Sequence, residues 1–402
     1  MLFTRSNPDL IIFLCEDLGM RATVGMLSHF STLRKLNTTL IVSTTGDTGP
    51  AAVQAVSDLA NPLLTILVHY PQGQISEFQR RQLTTADSKC VRVVVFEGGG
   101  DDMDKPIKKI CTERQSRGHR KCGANSYNIG RPLMQAVHFV WTYLRVMEHL
   151  GKEPSSDNIL DIVLPTGAMG NIAGAYIAKK CGLPLGSLCA AVNANDIVFR
   201  AIETGKYHKS EKMLHTLSDA INIQLPYNFE RLLFYLSDCN HTLVREWMTC
   251  VDNTAKLDLD AQWLAKLQAE FRSARVEDDQ MCTTLKKVAD DFNYVTDPHT
   301  AVALAAAEVL GYFPINSHDH PVAVMATASP CKFRESVTVA LGEDGWKAYE
   351  EKDFPARGWE LLAAEEIPPT VFAFTEGWTL EEVQVEWEKM AREIVDALGK
   401  VE

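Results

Sequence analysis

The chain has 402 residues, more than one ordinary hydrophobic core organises, and so suits two domains plus insertions. Its 46% apolar and 23% charged residues are an ordinary globular balance. A net charge of -12 argues against a nucleic-acid backbone or an anionic membrane as partner, though a site can still be locally basic. Ten cysteines without a CxxC pair or metal-ligand spacing read as scattered thiols of a reducing compartment.

At the start, the apolar run from Leu10 to Cys15 ends on Glu16-Asp17 and is too short for a signal-peptide core or a membrane span. Only Arg5 fits a mitochondrial address, so a cytoplasmic location is expected, or a mitochondrial one if the natural start lies upstream. Thr38 to Ser43 (TTLIVS) reads as a strand and Pro50 to Leu59 as a helix. Leu63 to Val68 is the next strand and stops at a Pro71-Gln72-Gly73 turn. Val91 to Phe96 follows, then a helical stretch from Asp101 to about Arg117. Ile159 to Leu164 is a strand, Asn171 to Lys180 a helix and Ser187 to Val192 a strand. This alternation implies parallel βαβ units buried on both faces. From Ser210 to about Asp291 the pattern turns mostly helical, with Leu257 to Val276 amphipathic. Pro321 to Thr327 returns to the buried-strand type. Lys352 to Pro369 reads as a linker, and a last helix starts at the capping box Thr379-x-x-Glu382 and ends near Gly399.

Four segments are candidates to carry chemistry, three of them at strand ends. Pro165-Thr166-Gly167-Ala168-Met169-Gly170-Asn171 lies between a strand and a helix. Its glycines let the backbone turn tightly and aim successive N–H groups at one point, and the helix N-terminus adds partial positive charge. That is a phosphate cradle without lysine; the competing reading is a Gly-rich turn with Asn171 as helix cap. Thr44-Thr45-Gly46-Asp47-Thr48-Gly49-Pro50, at another strand-to-helix junction, could hold a carboxylate, or simply cap the helix through Asp47 or Thr48. Asn125, Ser126, Asn128 and Arg131 can together satisfy many phosphate or carboxylate oxygens, although polar loops of this composition are common. Thr327-Ala328-Ser329-Pro330-Cys331-Lys332-Phe333 follows a buried strand, where α/β proteins carry sites. His69, His138 and His299 read as packed or capping residues, and no metal motif is present.

Together these segments resemble the threonine synthase family, particularly its phospho-lyase, threonine synthase-like branch. The family writes T-S-G-D-T-G where this chain has Thr44 to Gly49. It writes N-S-I-N-W-x-R for Asn125 to Arg131 and P-T-G-x-x-G-N for Pro165 to Asn171. Further matches are Pro71-x-Gly73 with Gln79 to Thr85, Pro226-Tyr227-Asn228-Phe229-Glu230-Arg231 and Asp297-Pro298-His299-Thr300-Ala301-Val302. Order and spacing hold from about Asp17 to Phe333.

The resemblance implies a fold type II enzyme dependent on pyridoxal 5'-phosphate (PLP), tryptophan synthase β-like, with two parallel-sheet α/β domains. On that basis residues 17–150 form the smaller domain. Residues 151–350 form the larger one, with a helical insertion at 210–291, and 351–402 a C-terminal linker and helix. Gly167, Ala168, Met169, Gly170 and Asn171 would hold the PLP phosphate, and Thr327 would face the pyridine nitrogen. Thr45, Asp47 and Thr48 would hold the substrate carboxylate, and Asn125, Ser126, Asn128 and Arg131 its phosphate. The implied substrate is a small phosphorylated amino acid, O-phosphohomoserine or O-phosphothreonine, eliminated to 2-oxobutanoate, ammonia and phosphate.

One departure stands out. The family places its Schiff-base lysine in A-F-K-D, and here the stretch reads Leu14-Cys15-Glu16-Asp17, so Glu16 stands at the lysine position. A carboxylate can take a proton but cannot form the covalent link. Lys332 occupies a second lysine position of the family and is no substitute. The family's H-G-P-T segment and N-terminal domain are also missing upstream, and residues 1–16 read as a non-homologous start. Two histories fit: a front end lost from the gene or isoform, which the joint loss of motif and domain favours, or a catalytically dead protein that binds PLP or a phospho-amino acid. A third reading, a dehydratase of unphosphorylated serine or threonine, is disfavoured by the polar cluster at Asn125 to Arg131.

Overall fold

Runs such as Leu40-Ile41-Val42 and Ile162-Val163-Leu164 have no polar face, so they form strands only where helices cover both sides of a sheet. The computed structural model describes residues 16–86, 89–99, 102–113, 118–312, 320–373 and 377–400 and arranges them in that way. The chain divides into two compact units, residues 1–131 with 353–402, and residues 132–352.

Helix α1 (Glu16–Arg34) is followed by β1 (Asn37–Ser43), α2 (Thr48–Leu59), β2 (Leu64–Pro71), α3 (Glu77–Thr84), β3 (Val91–Phe96), α4 (Asp104–Thr112) and β4 (His119–Gly123). Next come α5 (Gly130–His149), β5 (Leu160–Pro165), α6 (Gly170–Lys180), β6 (Leu185–Val192), α7 (Ile197–Thr204), β7 (Lys206–His208), α8 (Phe229–Leu236) and α9 (His241–Thr254). Then β8 (Lys256–Asp258), α10 (Ala261–Glu270), β9 (Phe271–Arg275), α11 (Asp278–Phe292), α12 (Pro298–Val309), β10 (Val322–Val324) and α13 (Arg334–Asp353) complete the second unit's elements. The last elements are α14 (Ala356–Ala363), β11 (Thr370–Phe372) and α15 (Leu380–Leu398).

The first unit holds a five-stranded sheet ordered β11-β3-β2-β1-β4. The second holds a four-stranded sheet ordered β10-β5-β6-β9, and the pairings in both sheets are parallel. From β1 the chain steps outward through β2 to β3, while β4 returns to the other side. From β5 it steps through β6 to β9, while β10 returns to the other side. Each sheet therefore has one switch point, at β1/β4 and at β5/β10, and the strand C-terminal ends at such points are where open α/β sheets bind ligands.

Alternation along β1 divides the first unit's core. Leu40 and Val42 pack with Ala52 and Val56 of α2 on one face. Ile41 and Leu67 pack with Ile107, Trp387 and Val395 on the other. His69 is fully buried there, edge-on to Phe96 and Trp387, and burial pushes its imidazole down to about 3. Among the described residues no helix is long and apolar enough to cross a membrane.

Several expectations are corrected. The segment 210–291 is not purely a helical insertion: Phe271–Arg275 is a strand of the main sheet, and Lys206–His208 pairs antiparallel with Lys256–Asp258. Phe271, Ser273 and Ala274 are buried, and a five-residue strand continuing straight from α10 leaves no break in the helical pattern to announce it. The expected linker at 352–369 contains α14, and β11 just after it joins the edge of the first sheet by pairing with β3. Glu366 anchors this segment to α3 through Arg80 (2.6 Å) and Arg81 (2.9 Å). Of the helix expected over 101–117, Asp104–Thr112 is helical and residues 101 and 114–117 lie outside the described residues; β4, with its polar residues His119, Arg120 and Lys121, escaped the pattern. The terminal capping box at Thr379 and Glu382 forms as expected.

Candidate functional site

In the second unit, the loop after β5 makes a turn that glycine and one strained residue permit. Met169 precedes α6 in the left-handed region, at φ 63°, and is buried. A Cβ on Gly167 would stand 3.0 Å from the Ile221 Cα and 3.3 Å from the Ala220 carbonyl oxygen, so any larger residue needs that backbone to give by a few tenths of an ångström. Asn171 is not the helix cap; its amide donates to the Pro165 carbonyl (2.8 Å) and closes the turn from below. The Ala168 carbonyl accepts from Asn228 (2.8 Å), whose own oxygen accepts from Arg231 (2.7 Å). Burial lowers the Arg231 guanidinium from its ordinary value.

Among the described residues, no hydrogen bond uses the N–H of Gly167, Ala168, Met169, Gly170 or Asn171. Successive donors at the start of a helix, left without a partner, suit an anion. The donor set fits a phosphate group. Thr327 stands at the second sheet's switch point, in the loop after β10, the strand that pairs with β5. Its N–H donates to the Thr300 hydroxyl at 3.2 Å. Lys332, 5% exposed, lies further along the same loop in a short 3-10 turn.

In the first unit, the loops after β1 and β4 meet at the other switch point. The Thr44 hydroxyl organises the first of them. It accepts from Gly46 N (3.2 Å) and Gly49 N (3.0 Å) and donates to the Gly46 carbonyl (2.8 Å). Asp47 occupies the helix N-cap position but makes no side-chain cap; instead its carboxylate accepts from Gln79 (3.0 Å). Thr45 and Thr48 are half-buried on the same turn.

The loop after β4 is built largely from its own amides. Asn125 presents both amide atoms to the backbone of Ser43, accepting from its N–H (3.1 Å) and donating to its carbonyl (2.7 Å). Asn128 donates to the Gly123 carbonyl (2.9 Å) and accepts from Gly130 N (3.0 Å). Arg131, fully buried, donates to the Ala124 carbonyl at 3.1 Å, and Ser126 is buried in the same loop. Both asparagines thus shape the loop with the atoms that sequence reasoning offered to a ligand. Glu16 is the first residue of α1, and its side chain lies outside the described residues.

Sequence reasoning gave no role to Gln79, Asn228 or Asp297, although each lies in a segment that matched the family. Gln79 bonds Asp47 and Asn228 bonds Ala168 from far along the chain, so spacing could not reveal them; Asp297 caps a helix beside Pro298, and that local N-cap signal could have found it.

Two solved structures share this architecture. The PLP-bound threonine synthase of Brucella melitensis aligns with TM-score 0.78 and 28% identity, over 96% of this chain and 76% of that one. Yeast threonine synthase aligns with TM-score 0.80 and 26% identity, over the same shares. The chain therefore has the fold of the type II PLP-dependent enzymes: two parallel-sheet α/β units with site loops at their switch points. The family model described as Threonine synthase, C-terminal, matches residues 300–371. Threonine synthase-like 2 of Pongo abelii is 33% identical over 340 residues, covering 82% of this chain and 67% of that protein. The chain belongs to the threonine synthase family.

Proposed function

We propose that the chain binds PLP through the Gly167–Asn171 turn and belongs functionally with phospho-lyases acting on O-phosphohomoserine or O-phosphothreonine. The products would be 2-oxobutanoate, ammonia and phosphate. The observation that carries the reading is the row of N–H groups from Gly167 to Asn171 that no described residue uses. Backbone donors at the head of α6 would hold the cofactor phosphate, and the Thr327 hydroxyl would meet the pyridine nitrogen. Bound there, the cofactor would supply an electron sink for the amino acid's α-carbon. Thr45 and Thr48 would hold the substrate carboxylate by hydroxyl and N–H, on a turn that Asp47 fixes through Gln79. Ser126 and Arg131 would take the substrate phosphate, in a loop shaped by Asn125 and Asn128.

The covalent half of the site does not fit as the phosphate half does. Glu16 occupies the family's lysine position, so turnover by this chain is expected to be impaired. That residue also favours a second reading, a catalytically inert protein that binds PLP or a phosphorylated amino acid.

Titration with PLP, followed by protein fluorescence, tests the cradle. Gly170→Asp would put a carboxylate beside the phosphate and should abolish binding; unchanged binding means the assignment is wrong. Borohydride reduction with PLP and peptide mapping should return no stoichiometric pyridoxyl-lysine. Release of inorganic phosphate from O-phosphohomoserine by the chain separates the enzyme from the inert binder.

A further inference from the structure

We propose that Asp297 is the positioning residue that sets both ends of the cofactor site, an inference that rests on the cradle and Thr327 assignments above. Asp297 is 1% exposed and caps α12, its Oδ1 accepting from His299 N (3.0 Å) and Thr300 N (3.1 Å). A helix cap needs nothing more. This carboxylate makes two further bonds, and each leads to one end of the site.

The first relay runs through Thr300. The Thr300 hydroxyl donates its proton to Asp297 Oδ2. That leaves the hydroxyl oxygen as an acceptor, and the Thr327 N–H donates to it at 3.2 Å. The backbone carrying the hydroxyl meant for the pyridine nitrogen is thereby fixed.

The second relay runs through the His299 ring, 3% exposed and edge-on to Phe333 at 4.8 Å. Ala220 N donates to Nε2 at 3.1 Å, so that nitrogen carries no proton. Nδ1 must then be the protonated one, and it donates to Asp297 Oδ1 at 3.2 Å. The Ala220-Ile221 backbone held in this way is the wall that a Cβ on Gly167 would strike. The Asp219 carboxylate lies 3.7 Å from Nε2, too far to replace the Ala220 bond. One buried carboxylate therefore fixes the residue for the ring end and the cover of the phosphate end. These parts come from segments as far apart as Gly167 and Thr327.

The test uses the full chain and two probes, PLP (fluorescence titration) and inorganic phosphate (thermal shift). Thr300→Val removes only the first relay. It should weaken PLP roughly tenfold, the scale of one lost hydrogen bond, and leave inorganic phosphate unchanged. Thr300→Ser should restore PLP affinity. His299→Phe keeps the ring shape without the acceptor and should weaken both probes alike, whereas Asp297→Asn disturbs both relays and should weaken both probes, PLP the more. PLP affinity within twofold of the parent in both Thr300→Val and His299→Phe overturns the proposal. So does a Thr300→Ser variant no better than Thr300→Val. If Asp297→Asn fails to fold, the Thr300 pair still decides. Gly170→Asp separates the two claims. If it abolishes PLP binding while the relay variants bind normally, only this inference falls. If the parent binds neither probe, or Gly170→Asp binds PLP as the parent does, the cradle assignment falls with it.

Discussion

Asn125→Leu is the substitution that most directly asks what the loop after β4 is for. In the structure the Asn125 amide behaves like an extra strand residue, exchanging two hydrogen bonds with the Ser43 backbone at 3.1 and 2.7 Å. Both residues are buried, Ser43 at 5% and Asn125 at 8% exposed. Leucine has the same branched skeleton but would take one partner from the Ser43 N–H and one from its carbonyl. A buried polar group that loses its partner costs about 1–3 kcal/mol, so the pair should cost about 2–4 kcal/mol, allowing for partial solvation. Urea denaturation followed by far-ultraviolet circular dichroism at neutral pH measures the loss, with Asn125→Asp as companion. Aspartate keeps the acceptor, loses the donor and buries a charge, so it should be at least as damaging at pH 7. It should recover as pH falls, because its folded-state carboxyl would be raised and folding would take up the proton. A loss below about 1 kcal/mol in Asn125→Leu would mean the bracket does not hold in solution and that the amide is free for a ligand.

Other expectations follow from buried groups. Burial holds His69 at about 3 against its ordinary 6.5, so the unfolded chain takes up a proton that the folded chain refuses as pH falls between those values. Relative to His69→Leu, the parent should therefore lose about 2.5 kcal/mol between pH 7 and 4.5, at about 1.4 kcal/mol per pH unit below 6.5. A stability gap that stays flat across that range in urea melts refutes the burial argument. Gly123→Ala would drive a Cβ into the Tyr127 ring and hydroxyl, displacing the loop before Asn125 at about 1–3 kcal/mol, read as a lowered melting temperature. Trp387→Ala, at a fully buried ring against His69, should cost about 3–5 kcal/mol in the same assay; a smaller loss would show that α15 is weakly docked on the sheet. Glu16→Lys alone should not raise phosphate release from O-phosphohomoserine above the parent. An amine acts only when its neighbours hold it at the reacting carbon, and turnover at an ordinary enzyme rate would refute this.

The sequence by itself determined the parallel α/β class and the strand-to-helix junctions after Ser43 and Pro165. It also marked the glycine-rich turn from Pro165 to Asn171. These are local properties. β-branched runs, glycine freedom and donors at a helix start are carried by contiguous residues, and their order along the chain is what resembles a family. Tertiary structure alone decided which strands are neighbours. The place of β4 beside β1 and of β10 beside β5 makes the two switch points, and parallel pairing between segments so distant leaves no periodic mark in either. It decided that Phe271–Arg275 is a sheet strand rather than the tail of a helix, because burial between helices outweighed the amphipathic pattern. It decided, too, that Asn125 faces Ser43 from 82 residues away and that Asp297 joins Thr327 to the wall over Gly167. A polar side chain in a sequence shows what it can bond; only the folded chain shows which partner has already taken it.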